Sequence, residues 1–251
     1  MISRILNRSL LVVTTVIALG LASWGQCSNA NVTGKYGFSG GGLDNHGAPI
    51  AFMAYIKANG KGKFTGTETG SDNGTVFTNV PATGTYTINS DCTGSGTIKL
   101  KGNNQLIHYN LLVVSGGKSL QVLNTDAPNV QLTTNQAQGK VTCTAAGIQG
   151  KFGVEASGVF LGLGAVAFDG FFTLDGKGNV GGTESGSIAG QIFTGLSISG
   201  TYTVAPNCTG TMTFTVGTLT EHSSFVMINS GKELLVVETD PNTVVGGFGQ
   251  Q

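Results

Sequence analysis

Gly84-Thr-Tyr-Thr-Ile-Asn-Ser-Asp-Cys-Thr-Gly94 returns as Gly200-Thr-Tyr-Thr-Val-Ala-Pro-Asn-Cys-Thr-Gly210, 116 residues further on. The same offset carries Cys27 onto Cys143, Gly34-Lys-Tyr-Gly37 onto Gly150-Lys-Phe-Gly153, and Asn59-Gly-Lys-Gly62 onto Asp175-Gly-Lys-Gly178. Repetition at a fixed period decides architecture before any motif does. It divides the chain into two tandem units, 25–139 and 140–251, behind a leader at 1–24.

Within each unit no helical period runs for a useful length. Short alternating stretches rich in Val, Ile, Phe, Tyr and Thr are separated by Gly and Asn turns, the pattern of a sandwich or barrel. In the first unit strands are expected near Lys35–Gly40, Pro49–Ala58, Lys63–Thr69, Thr83–Asn89, Gly94–Lys101, Gln105–Val114, Ser119–Asn124 and Val130–Thr134. The second unit follows the same order, shortened by two residues between Gly210 and Gly231. About eight strands per unit is the count of a small closed barrel, so the fold expected is all-β: two eight-stranded antiparallel barrels, each closed by a disulfide.

Register is readable at Leu174-Asp-Gly-Lys-Gly-Asn-Val180. Asp-Gly-Lys-Gly suits a type I turn followed by a glycine bulge, which sets Leu174 opposite Val180. Counting back places Phe172 against Gly182 and Gly170 against Glu184. Glu184 then shares a face with Phe168, Phe172 and Val180, and Glu68 shares one with Phe52, Ile56 and Phe64. Thr65, Thr67 and Thr183 take the other, watery face.

Residues 1–24 read as an export signal: Arg4 and Arg8 precede the apolar run Leu10–Leu21, which falls short of the roughly 20 residues that span a bilayer. Cleavage near Gly20 to Gly25 leaves Cys27 in a secreted or periplasmic protein. Lipoprotein anchoring at Cys27 is the alternative, although Trp24-Gly25-Gln26 departs from the small, apolar pattern that processing prefers. Of 13 basic residues Arg4 and Arg8 are the only arginines. A mature chain without the bidentate phosphate-gripping residue, near neutral and with no basic run, speaks against nucleic acid. No membrane span is expected in the mature chain. Glycine, at 41 of 251 residues, has no Gly-X-Y period and belongs to turns, bulges and bends.

The four cysteines form equivalent pairs, Cys27 with Cys92 and Cys143 with Cys208, each 65 residues apart. Bridges within each unit are preferred because they close it on itself. The symmetric alternative pairs Cys27 with Cys143 and Cys92 with Cys208. No Cys-x-x-Cys spacing points to zinc, and export favours oxidation.

Polar residues shared by the two units are Glu68 with Glu184, Tyr86 with Tyr202, His108 with His222, and Thr125-Asp126 with Thr239-Asp240. An inward Glu near a Tyr and a His in each unit is equipment for proton transfer. Equally, it is a way to satisfy buried polar groups. Gly60-Lys-Gly62 lies in a hairpin without a following helix, so it is no phosphate cradle. No catalytic residue, metal ligand or cofactor is assigned. Strands about ten residues long also fit an outer-membrane barrel, but aromatic residues, at 8%, form no girdles.

The strings Gly-Thr-Tyr-Thr-Ile/Val-x-x-x-Cys-Thr-Gly and Asp/Asn-Gly-Lys-Gly resemble repeats in exported proteins of soil bacteria, acidobacterial ones in particular, over nearly all of the chain beyond the leader. That resemblance brings no activity with it. Strand count and size also look like calycin or avidin barrels, which implies a small ligand held in the barrel mouth; the likeness is architectural.

Two functions follow as expectations. One is non-catalytic binding of a small apolar ligand, with Glu68, Tyr86, His108, Glu184, Tyr202 and His222 as polar contacts. The other is a structural or adhesive surface protein with solid barrels, its Thr/Ser/Asn-rich exterior contacting extracellular matrix material. An isomerase or cyclase using Glu and His is a third reading.

Overall fold

The computed structural model describes residues 26–251, so the leader read at 1–24 lies outside the described residues. The described residues form sixteen strands. The first barrel contains β1 (Thr33–Leu43), β2 (Pro49–Asn59), β3 (Lys63–Asp72), β4 (Thr75–Ile88), β5 (Thr93–Leu100), β6 (Ile107–Val114), β7 (Ser119–Asn124) and β8 (Val130–Ala137). The second contains β9 (Gly150–Phe160), β10 (Gly164–Leu174), β11 (Asn179–Ile188), β12 (Gln191–Val204), β13 (Thr209–Val216), β14 (Leu219–Ile228), β15 (Glu233–Glu238) and β16 (Thr243–Gln250). Within each barrel each strand pairs antiparallel with the next, and β8 returns to β1 as β16 returns to β9, so both sheets close. Closure leaves neither barrel an open edge.

Alternation produces the two faces. In β13 Thr211, Thr213 and Thr215 are exposed while Met212, Phe214 and Val216 are buried. The hairpin between β10 and β11 has Leu174 opposite Val180 and Gly170 opposite Glu184. Its turn is held by Asp175, whose Oδ1 accepts the Lys177 and Asn179 amides at 2.7 and 2.9 Å. Several strands, β1, β3, β4 and β8 among them, run further than the sequence pattern indicates. β1 continues through Gly40-Gly41-Gly42, and β4 begins at Thr75 instead of Thr83 because Asn73 (φ 47°) and Gly74 (φ 75°) form a two-residue turn that returns the chain directly into pairing.

One end of each barrel is shut. In the first, a 3-10 turn at Asn29–Asn31 lies across the opening, the Asn29 side chain accepts the Ile88 amide at 2.7 Å, and Cys27 is bridged to Cys92. Tyr86 donates from below to the Val32 carbonyl at 2.6 Å. In the second, the turn at Ala145–Ile148, the Cys143–Cys208 bridge and Tyr202, which donates to the Ala145 carbonyl at 3.1 Å, repeat the arrangement. Both bridges therefore connect the segment before the first strand to the turn after the long fourth strand.

The barrels pack side by side through outward faces that carry apolar residues. Ala51 and Met53 of β2 meet Val226 and Ile228 of β14, Leu235 and Val237 of β15, and Val244 of β16 in a third core. Gly37 of β1 admits this contact: a Cβ there would stand 2.5 Å from Ile228 and 2.9 Å from Val226. The connection leaving β8 is tied down as well, with the Gln138 amide donating to Lys35, the Ser230 amide donating to the Gln138 carbonyl, and Gln138 Nε2 donating to the Asn207 carbonyl at 3.1 Å.

Candidate functional site

The two barrels differ in what they enclose. The first contains a cavity of about 1000 Å³, whereas the corresponding space of the second is about 60 Å³. Inward positions explain the difference. Met212, Phe214, Phe225 and Met227 point into the second barrel where the first has Gly96, Ile98, Leu111 and Val113. Phe172 and Phe214 meet edge to face at 5.3 Å and close the middle of the second barrel. Phe38, Phe64 and Tyr109 oppose the trend, standing in the first barrel where Val154, Val180 and Ser223 stand in the second; the Phe64 ring lies over Gly84, and Tyr109 folds over Gly96 and donates to the Thr85 carbonyl at 3.1 Å, so these two line the wall rather than the centre.

The cavity opens at the end opposite the disulfide, among the connections β1–β2, β5–β6 and β7–β8. The two-residue length difference between the units falls here. Residues 101–106 bow out between β5 and β6, while β13 and β14 continue pairing to Val216 and Leu219. The floor is apolar, formed by Ile56, Phe64, Ile98, Leu111 and Leu120 above the Tyr86 and Val32 closure.

Glu68 projects into this space. The alternation of β3 from Phe64 sets it there, and a bulge shapes its surroundings: β4 carries one extra residue between Val80, opposite Glu68, and Phe77, opposite Gly70, and Thr69 Oγ1 accepts the Asn79 amide at 2.9 Å. Val80 and Phe77 therefore both face inward and flank the carboxyl group with hydrocarbon. Glu68 is 8% exposed, its cross-strand neighbours are Ala54 and Val80, and no side chain among the described residues hydrogen-bonds to it. Burial alone pushes its carboxyl group up to about 7.

Further carboxyl groups surround the mouth. Asp72 is four residues along β3 on the same face, and its Oδ1 is buried without a partner. Its acidity is weakened by burial and by neighbouring Asp44. Burial also acts upward on Asp44, but the Ala48 and His46 amides, donating to Oδ1 at 2.7 and 2.8 Å, outweigh it and keep this group below the usual carboxylate range. Asp126 accepts the His108 amide at 2.7 Å and pairs with His108 Nδ1 at 2.8 Å, contacts that lower its pKa.

The second barrel has Glu184 at the position equivalent to Glu68, with the same bulge and the Gly195 amide bonded to Ser185 Oγ. Its surroundings differ. Glu221 and Glu238 stand where the first barrel has Ile107 and Asn124, and the three carboxyl groups converge in the residual space. Burial first and mutual repulsion second push Glu184 and Glu238 up to about 8. Among the described residues no group of three His, Cys, Asp or Glu has a geometry that would hold a metal ion.

The shared Glu, Tyr and His residues do not meet. His108 and His222 lie on outward register positions, opposite Thr97 and Thr213, with side chains about half exposed and bonded to Asp126 and Asp240. Tyr86 and Tyr202 work at the closed ends. From Val80, beside Glu68, Tyr86 is six residues away along β4, roughly 20 Å at the rise of a strand. No proton relay of Glu with His or Tyr exists in this arrangement. Asp44, Asp72, Glu221 and Glu238 were not singled out by the repeat because the two units do not share them, although the spacing of Asp72 from Glu68 puts it on the same face.

No protein-family model matches the chain, and no curated protein matches it.

Proposed function

We propose that the first barrel is a binding module for a small apolar ligand, within an exported protein, and that the second is its solid support. The observation that carries this reading is the contrast between about 1000 Å³ of space open at one mouth and about 60 Å³ in barrels of the same strand order. Closed barrels of eight strands either fill with side chains or hold one small ligand, and 1000 Å³ is at the upper end of ordinary ligand sites. Two disulfides, and no helix among the described residues long and apolar enough to cross a membrane, accord with an extracellular or periplasmic location. The likeness to exported soil-bacterial repeats, and descent of the units from one duplicated barrel, belong to the same proposal.

A structural or adhesive role is the second reading, favoured by the filled second barrel and by exposed apolar side chains such as Leu163, Phe171 and Ile192 on its exterior. Titration of the secreted protein with the neutral fluorophore N-phenyl-1-naphthylamine separates the two. Saturable uptake at one site per chain is expected, lost on reduction and unfolding; an absence of uptake, together with native mass spectra showing the bare chain, would leave the structural reading standing.

A further inference from the structure

A buried carboxyl group facing an apolar cavity has two ways to avoid the cost of an unpaired charge. It remains protonated, or a cation enters with the ligand. In the first barrel, no lysine, histidine or hydroxyl neighbours Glu68 across β2 or β4, where Ala54 and Val80 stand. The lining as a whole includes Asp44, Glu68 and Asp72 against Lys101 alone, while Asp126, at the rim, is taken up by the outward His108. A low-dielectric cleft edged by one sign of charge concentrates the opposite sign.

We propose that the ligand of the first barrel is an apolar amine: a hydrocarbon body carrying one protonated nitrogen, which Glu68 receives inside the cavity while the body lies on the Ile56, Phe64, Ile98 and Leu111 floor. This rests on the reading of the first barrel as a ligand chamber. A bare metal ion does not suit the site, since hard cations require six or more oxygen ligands and the wall beside Glu68 is hydrocarbon. An apolar acid does not suit it either, because its carboxylate would pass Asp44 and Asp72 only to face Glu68. A neutral alcohol gives Glu68 one hydrogen bond but leaves a buried carboxylate charge uncancelled, whereas an ammonium gives the hydrogen bond and cancels the charge.

The test uses a pair of probes equal in hydrocarbon and different in head group, decylamine and 1-decanol, each displacing N-phenyl-1-naphthylamine from the full-length secreted protein at pH 8 and below micellar concentration. Decylamine is expected to bind at least tenfold more tightly. In Glu68→Gln, which keeps shape and folding, the preference should fall to near unity while 1-decanol still binds; in Glu68→Leu it should reverse. Equal binding of the two probes to the natural protein overturns the amine assignment but leaves the chamber intact, as does a preference unaltered in both variants. Failure of both probes to displace the fluorophore, or of the fluorophore to bind, overturns the chamber reading and the amine assignment with it.

Discussion

Glu68 and Glu184 occupy the same register position in the two barrels, opposite Ala54 and Val80 in one and Gly170 and Leu196 in the other, yet one looks into open space and the other at two more carboxyl groups. Their common feature is a strand alternation that commits a glutamate to the interior regardless of what fills it, with a bulge in the neighbouring strand beside each. Once there, each is held more protonated than in an unfolded chain, by burial alone at Glu68 and by burial with repulsion at Glu184.

That relationship gives stability an unusual dependence on pH. The native pKa values of Glu68, about 7, and of Glu184 and Glu238, about 8, stand above the unfolded value near 4.3, so the native state binds more protons through that interval. Their contribution is fully present below about pH 4.3 and is lost as pH rises through the native values. Asp91, Asp126 and Asp175 act oppositely, since their lowered values make stability fall as pH drops below about 4. A melting-temperature maximum between about pH 4 and 5 is expected, declining to pH 8. Glu68→Gln should remove part of the decline, with a ceiling on the order of 3 kcal/mol. A melting temperature flat from pH 5 to 8 would contradict the burial of these groups.

The capacity of the first barrel should be removable by copying the second. Ile98→Phe with Leu111→Phe installs the rings found at Phe214 and Phe225, Phe64→Val clears the place over Gly84 that the Phe64 ring now takes and that Val180 leaves free over Gly200, and Gly94 supplies the space beneath the second ring that Gly210 supplies for Phe225. Added burial without overpacking raises the melting temperature or leaves it unchanged. Uptake of N-phenyl-1-naphthylamine is expected to weaken at least tenfold. Undiminished uptake would place the probe outside the barrel.

The alternation of Thr with Phe, Ile and Val, and the Asp175 hairpin, made strand direction, register and the inward course of Glu68 and Glu184 legible from the sequence. Whether a barrel is hollow was not, because Ile98 and Phe214, or Val113 and Met227, are equally apolar and differ only in volume, which a periodic pattern does not register. The placement of the histidines was within reach: His108 is between Ile107 and Tyr109, both inward, so parity sends it outward. Tyr86 required the whole length of β4, whose first half depends on the Asn73-Gly74 turn and whose bulge shifts parity between Phe77 and Val80.

The layer between the barrels should be needed for their joint stability. Val226 and Val237 are fully buried there, facing Ala51 and Met53. Val226→Asp places an unpaired carboxylate in a dry contact, a change that costs several kcal/mol. The natural protein is expected to unfold in one calorimetric transition and the variant in two, with new proteolytic cleavage in the connection at residues 138–149. One unaltered transition would mean that the barrels do not depend on this layer.

The disulfides should have unequal consequences for binding despite equal loop lengths. Each closes 65 residues, for which loop entropy assigns about 4 kcal/mol. Replacing Cys27 and Cys92 by Ser, or Cys143 and Cys208 by Ser, should therefore lower stability by similar amounts. The first bridge, however, fastens the segment that carries Val32 beneath the cavity, where Tyr86 bonds it. Its loss frees the floor, so fluorophore affinity should drop several-fold at a temperature where the barrel remains folded by circular dichroism. The second pair of substitutions should destabilise without changing affinity, because the space above Ile148 is already filled by Phe152, Phe172 and Met227. Equal effects on affinity from both pairs would show that the cavity depends on the stability of the whole molecule and not on its own floor.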